Sequence, residues 1–238
     1  MTTHRGKLYG IGVGPGDPEL IPLKAVRILG RVDMVFAASS SKNTYSLAVD
    51  IARHHIPGST PIIKLPFPMT KDKVETERAW RENALTIITQ VDAGKEAAFI
   101  TLGDPMTYST YGYVLKSILA IRPDLPIETV PGITSYQACA SRLNTPLVEG
   151  EESLLITSGV KGGDRLRHTS PKPENIVFLK AYRNAADISL ALEENDMIDH
   201  SIGVSCCSLP QEEIIRDVRA FKHRKPGYWT IIIAKQNS

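Results

Sequence analysis

Three stretches of this chain share one pattern: an apolar run of strand length, a turn rich in glycine and proline, then apolar residues at helical spacing. The central one spans residues 97–115, AAFITLGDPMTYSTYGYVL. Residues 97–102 are apolar, Gly103, Asp104 and Pro105 cannot continue a strand, and Tyr111, Val114, Leu115 and Ile118 recur at i, i+3, i+4 and i+7. The pattern repeats at residues 8–25, LYGIGVGPGDPELIPLKA, and at residues 127–140, IETVPGITSYQACA. In an open α/β sheet such loops lie at the carboxyl ends of strands, where ligands bind, so the three loops are the first candidates for a site. For one such loop alone, a turn in which Asp104 merely bonds nearby backbone N–H groups is the better reading; the two further loops shift it toward a site.

The remaining elements keep the same alternation. Leu20, Leu23, Ala25, Val26 and Leu29 predict a helix starting near Pro22. Residues 45–56 predict a helix, residues 60–65 a strand closed by Pro66 and Pro68, and residues 71–94 a long amphipathic helix. That helix sets Trp80, Ala84, Ile87, Ile88 and Val91 inward and stops at Gly94. Strands alternating with helices at this rhythm predict a mainly parallel sheet, hence an α/β fold. The polar texture of residues 144–152 marks the expected domain boundary, giving domains 1–147 and 148–238. Beyond it, residues 153–157, 175–179, 201–206 and 230–234 predict strands, and residues 185–194 a helix with Ile188, Ala191 and Leu192 inward. Residues 158–173 predict a long loop able to close over a site.

With 42% hydrophobic and 23% charged residues over 238 positions, the composition is that of a soluble globular protein of one large or two small domains. No apolar run approaches the ~20 residues of a membrane span, and residues 1–7 carry no signal core, so a cytoplasmic protein is expected. Cys139, Cys206 and Cys207 are odd in number and lack zinc-site spacing, which predicts reduced thiols and no structural metal. A net charge of +2 does not argue for nucleic acid. The basic clusters at Lys161, Arg165, Arg167, His168 and Lys172, and at Lys222, His223, Arg224 and Lys225, read first as solvated surface, second as contacts to an anionic substrate and third as contacts to nucleic acid.

The first loop is not a dinucleotide fingerprint. The third glycine of G-x-G-x-x-G falls at Asp17, and Asp17 and Glu19 set negative charge where pyrophosphate would sit. There is no Walker A pattern either, so a neutral or cationic ligand fits better.

In their order and spacing, KLYGIGVGPGDPELIPLKA, TLGDPMTYST, VPGITS and the closing YWTIIIA at residues 228–234 resemble the tetrapyrrole methylases, the class III methyltransferases that use S-adenosylmethionine. The likeness covers essentially the whole chain, and LPFPMTKD at residues 65–72 extends it toward members that act in cobalamin synthesis. It implies two α/β domains with the cofactor in the cleft between them, a homodimer, and methyl transfer to the meso carbon C20 of a tetrapyrrole, precorrin-2 or cobalt-factor-2. It implies cofactor contacts at Pro15, Leu102, Gly103, Asp104, Met106, Thr107, Thr134, Ser135, Leu179, Lys180, Cys206, Cys207 and Ser208. Asp104 is the candidate acid–base residue. Lys161, Arg165, Arg167 and Lys172 would meet the carboxylates of the macrocycle, with neither nucleic acid nor membrane as partner. Two positions depart from the pattern: Lys180 follows Leu179 where relatives often have methionine nearby, and the Cys206-Cys207 pair is unusual. Relatives acting at another tetrapyrrole carbon, on diphthine or on ribosomal RNA, and a non-catalytic module binding S-adenosylmethionine as a sensor, stay open on the sequence.

Overall fold

The computed structural model describes residues 6–40, 46–70 and 72–236. Its contacts divide the chain into two compact units, Met1–Thr134 and Ser135–Ser238. The division falls ahead of the polar segment 144–152, because helix α5 (Ser135–Leu143) packs with the second unit.

In the first unit, β1 (Lys7–Gly12), β2 (Met34–Ser40), β3 (Ile62–Phe67), β4 (Glu96–Thr101) and β5 (Ile127–Val130) form one sheet in the order β3-β2-β4-β1-β5, with every pairing parallel. Both faces are covered, which is why β4 reads as a continuous apolar run. Ala98 and Ile100 face one core with Ala25, Ile28 and Leu29 of α1 (Leu23–Leu29) and Ile51 of α2 (Leu47–Ala52). Ala97 and Phe99 face the other core, with Ala84, Ile87 and Val91 of α3 (Lys73–Asp92) and Tyr111, Val114 and Ile118 of α4 (Thr110–Ile121). Trp80 is only half-buried; it stacks on Tyr113 across the α3–α4 seam, with ring centroids 4.3 Å apart. The expected starts of two helices, at Tyr45 and Lys71, lie outside the described residues. Within those residues α3 is capped by Asp72, which accepts from the N–H groups of Val74 and Glu75.

Of the two prolines expected to close β3, Pro68 follows its last residue, Phe67, whereas the strand runs through Pro66, which pairs with Ser39. β3 is an edge strand, so a missing N–H costs no ladder bond there.

The second unit holds β6 (Leu154–Ser158), β7 (Asn175–Leu179), β8 (Ser201–Ser205), β9 (Glu213–Ile215) and β10 (Thr230–Lys235) in the order β6-β7-β10-β8-β9. Only β6 and β7 pair in parallel, so this sheet is mixed. The expected long loop at residues 158–173 is largely structured instead: a 3₁₀ turn at Gly159–Lys161 leads into α6 (Asp164–His168), whose Leu166 is fully buried. Helix α7 (Ala185–Glu193) covers one face of the sheet with Ile188, Ala191 and Leu192. No helix among the described residues is long and apolar enough to cross a membrane.

Candidate functional site

The order β4-β1-β5, with all three strands parallel, brings the segments after Thr101, Gly12 and Val130 out side by side. The three loops singled out from the sequence therefore share one edge of the first sheet, and they are bonded to one another. Gly103 N–H donates to Gly14 O at 2.7 Å, and Gly14 N–H donates back to Gly103 O at 3.3 Å. Asp104 spans the second and third loops: its Oδ2 accepts from Gly132 N–H at 3.1 Å, and its Oδ1 accepts from Met106 N–H at 2.8 Å and Thr107 Oγ1–H at 3.4 Å.

This crossing requires bare backbone. A Cβ on Gly132 would stand 2.2 Å from Gly103 O and 2.8 Å from Gly12 Cα, and a Cβ on Gly12 would stand 2.5 Å from Gly103 O. Gly103 itself adopts φ +68°, where glycine carries no steric penalty. Thr101 Oγ1 and Ser109 Oγ lie 2.9 Å apart, and Ser109 caps α4 by accepting from Tyr111 N–H.

Of the residues expected to hold the cofactor in this unit, Pro15 is buried beside Gly14, Leu102, Asp104 and Thr107 are half-buried, and Met106 is 64% exposed. Thr134 is buried at the end of the third loop, and Ser135 opens α5 in the second unit. In the first loop, Asp17 accepts from Glu19 N–H at 2.9 Å, so the turn that a pyrophosphate would use is already capped by a carboxylate. The Asp17 and Asp104 carboxylates thus occupy backbone N–H groups of the loops, an arrangement unlike a phosphate cradle.

In the second unit, β7 and β8 both run antiparallel to β10, so their carboxyl ends lie on one edge of that sheet. Leu179 ends β7 and Cys206 follows β8, on either side of the start of β10. The segments bend sharply there. Lys180, Cys206 and Ser208 adopt φ of +56°, +53° and +64°, conformations that L residues hold only where surroundings enforce them. Cys206 N–H donates to Trp229 O at 3.0 Å.

Sequence reasoning did not find Glu212, which braces this turn. Its carboxylate accepts from Ser208 N–H at 2.9 Å and from Arg142 Nε at 2.6 Å. Burial pushes the Glu212 carboxyl up, but the Ser208 N–H and the Arg142 guanidinium outweigh it and hold the group below its ordinary range. All three cysteines are free thiols. The Cys139 thiol is pushed up and Cys207 is held below its ordinary value by their mutual interaction, while burial pushes Cys206 up.

The basic cluster separates into two kinds of residue. Arg167 pairs with Asp187 at 3.0 Å and Glu194 at 2.6 Å, tying α6 to α7, and these partners hold its guanidinium above its ordinary range. Lys172 Nζ donates to Leu166 O and Arg167 O at 2.7 and 2.8 Å, closing the carboxyl end of α6. Lys161 and Arg165 are exposed and make no ion pair among the described residues. Among the described residues no group of three or more His, Cys, Asp or Glu could hold a metal ion.

Comparison with known proteins agrees with this architecture. A Thermus thermophilus uroporphyrin-III C-methyltransferase, solved in complex with S-adenosylhomocysteine, superposes with a TM-score of 0.69 at 23% identity, over 97% of this chain and 92% of that one. A cobalt-precorrin-2 C(20)-methyltransferase of Salmonella typhimurium is 34% identical over 233 residues, 97% of each chain. A probable cobalt-precorrin-2 C(20)-methyltransferase of Methanocaldococcus jannaschii is 38% identical over 192 residues, 81% of this chain and 80% of that one. A precorrin-2 C(20)-methyltransferase of a Sinorhizobium species is 31% identical over 212 residues, 84% and 83% of the two chains. The sequence profile of the Tetrapyrrole (Corrin/Porphyrin) Methylases matches residues 7–220, and so takes in all three loops, the whole first sheet and every strand of the second except β10. The chain belongs to the tetrapyrrole methylases.

Proposed function

We propose that this protein is an S-adenosylmethionine-dependent methyltransferase that adds one methyl group to C20 of precorrin-2 in cobalamin biosynthesis, with the cobalt complex as its preferred substrate. The observation that carries this reading is similarity along the whole chain to the Salmonella protein, reinforced by the higher identity to the archaeal one, both named for the cobalt-bound form.

The cofactor supplies a methyl carbon already activated by positive sulfur, so the reaction is an in-line displacement and needs no protein nucleophile. What this chain contributes is alignment and exclusion of water. The crossed loops suit such a ligand, since they set the negative Asp104 carboxylate, and no phosphate cradle, on mutually bonded backbone. We assign the first unit's contacts to Pro15, Leu102, Gly103, Asp104, Met106, Thr107 and Thr134. In the second unit the proposed contacts are Ser135, Leu179, Lys180, Cys206, Cys207 and Ser208. Because both Asp104 oxygens already accept backbone hydrogen bonds, we assign Asp104 first to anchoring the loops, with proton acceptance from the methylated carbon as the alternative role. With Arg167 and Lys172 engaged within their own unit, the proposed contacts to the macrocycle carboxylates rest on Lys161 and Arg165. The family likeness further supports a homodimer, and the free thiols suit a cytoplasmic enzyme.

The test is methyl transfer from carbon-13-labelled S-adenosylmethionine to cobalt-precorrin-2 and to metal-free precorrin-2, with the product carbon assigned by NMR. A label at C20, formed faster on the cobalt complex, is expected. A label at another carbon would refute the regiochemistry, and transfer to neither macrocycle would refute the tetrapyrrole substrate.

A further inference from the structure

Three aromatic rings meet at the edge of the second sheet where β7 ends and β10 begins. Tyr182 and Tyr228 have centroids 4.8 Å apart with planes inclined by 46°, and Tyr228 meets Trp229 edge-on at 5.8 Å and 81°. Tyr228 is 53% and Trp229 40% exposed. Half-exposed aromatic rings gathered in one place cost hydration free energy that a scattered surface avoids, and a contiguous apolar patch of this kind marks a contact site.

The rim of this patch is positive. Arg183 lies over Tyr182, its guanidinium carbon 5.5 Å from the ring centroid, and its Nε donates to Tyr182 Oη at 2.8 Å. It makes no ion pair among the described residues. The turn Gly159–Lys161 packs against the turn Ala181–Arg183 and is held there by Asn184 Nδ2 donating to Val160 O at 2.6 Å, which sets Lys161 beside the same patch. Aromatic surface bordered by unpaired cations matches one ligand chemistry: a broad conjugated ring system carrying carboxylates at its periphery. The ring offers π surface for stacking and edge contacts, and the carboxylates find the guanidinium and ammonium.

We propose that Tyr182, Tyr228 and Trp229, bordered by Lys161 and Arg183, are the surface on which the tetrapyrrole lies. This inference rests on the methyltransferase reading, because that reading supplies the class of substrate. It assigns the macrocycle a stacking contact in addition to its ion pairs, and it gives the Tyr228-Trp229 pair ahead of β10 a role in substrate positioning.

The chain has two tryptophans, so Trp80→Phe leaves Trp229 as the sole indole reporter. In that background, titration with uroporphyrin, a planar polycarboxylate, should quench Trp229 fluorescence saturably. The substitutions Tyr182→Ala and Tyr228→Ala should each weaken uroporphyrin binding about tenfold, as loss of one stacking contact does. S-adenosylhomocysteine affinity, measured by calorimetry on the same variants, should stay within about twofold, because the substituted rings lie outside the proposed cofactor contacts. Uroporphyrin binding with no change in Trp229 emission, or undiminished binding by both tyrosine variants, would overturn the proposal. Methyl transfer to precorrin-2 by the parent protein is measured alongside: if it persists while Trp229 stays silent, the aromatic surface is wrong and the reaction stands; if it is absent, the reaction itself is wrong.

Discussion

Asp104 holds the second and third loops together through one carboxylate, and its two candidate roles give different outcomes. Asparagine keeps one acceptor but turns an NH₂ group toward either Gly132 N–H or Met106 N–H, leaving a donor facing a donor. If the residue anchors the loops, Asp104→Asn should weaken S-adenosylhomocysteine binding several-fold, as losing a hydrogen bond to a charged acceptor costs about 1 kcal/mol. If it serves as the base, affinity should be retained and turnover should fall about a hundredfold. Calorimetry beside single-turnover kinetics separates the two. Glu128 on β5 offers a stability test away from the loops. Hydrogen bonds from Lys24 and Lys7 lower its carboxyl from 4.5 to about 2. A carboxylate depressed in the folded state adds stability above its unfolded value and loses it as pH falls toward the folded one. The wild type should therefore lose stability between about pH 4.5 and pH 2 in part through this group. Glu128→Gln should flatten that limb in acid melts, and high salt should shrink the difference between the two proteins.

Elements explain why some features were legible in the sequence and others were not. The crossing of the three loops depends on Gly12 and Gly132 lacking side chains against backbone that cannot rotate away. Gly132→Ala should lower the melting temperature by several degrees and abolish the further rise that S-adenosylhomocysteine gives the wild type. Strands buried on both faces announce themselves, which is why residues 97–102 and 175–179 could be read directly. Convergence of the loops was legible too, because parallel strands send their carboxyl ends to one edge. β9 was not, since three residues owe their extended form to pairing with β8 and carry little pattern of their own. The role of Arg167 was hidden for a related reason: its partners Asp187 and Glu194 lie 20 and 27 positions away, and only the packing of α6 on α7 unites them. A run of basic residues looks uniform in sequence, whereas folding ties Arg167 and Lys172 to the helices and leaves Lys161 and Arg165 outward. Glu212 and the left-handed turn at Cys206–Ser208 were equally silent, because nothing local distinguishes a bracing glutamate from a solvated one.

The homodimer implied by family likeness is checked by light scattering at micromolar concentration, which should give twice the chain mass of 26.1 kDa. Selection of an acidic macrocycle is the harder question for the molecule as a whole. A formal net charge of +2 exerts little long-range attraction, so discrimination has to come from cations concentrated in one place. Lys161 and Arg165 are such cations, exposed and unpaired among the described residues, in a segment that α6 holds rigid. Exposed charge pairs contribute about 0.2–1 kcal/mol each, so the Lys161→Ala, Arg165→Ala double variant should raise the KM for precorrin-2 roughly fivefold. Affinity for S-adenosylhomocysteine should not change. The penalty should be largest at low ionic strength: the Debye length is about 30 Å at 0.01 M salt and about 8 Å at 0.15 M, so the removed charges act furthest where salt is scarce. Raising the salt should then weaken the wild type more than the variant and draw their KM values together. An unchanged KM at every ionic strength, or cofactor affinity falling in step with it, would take these two residues out of substrate recognition.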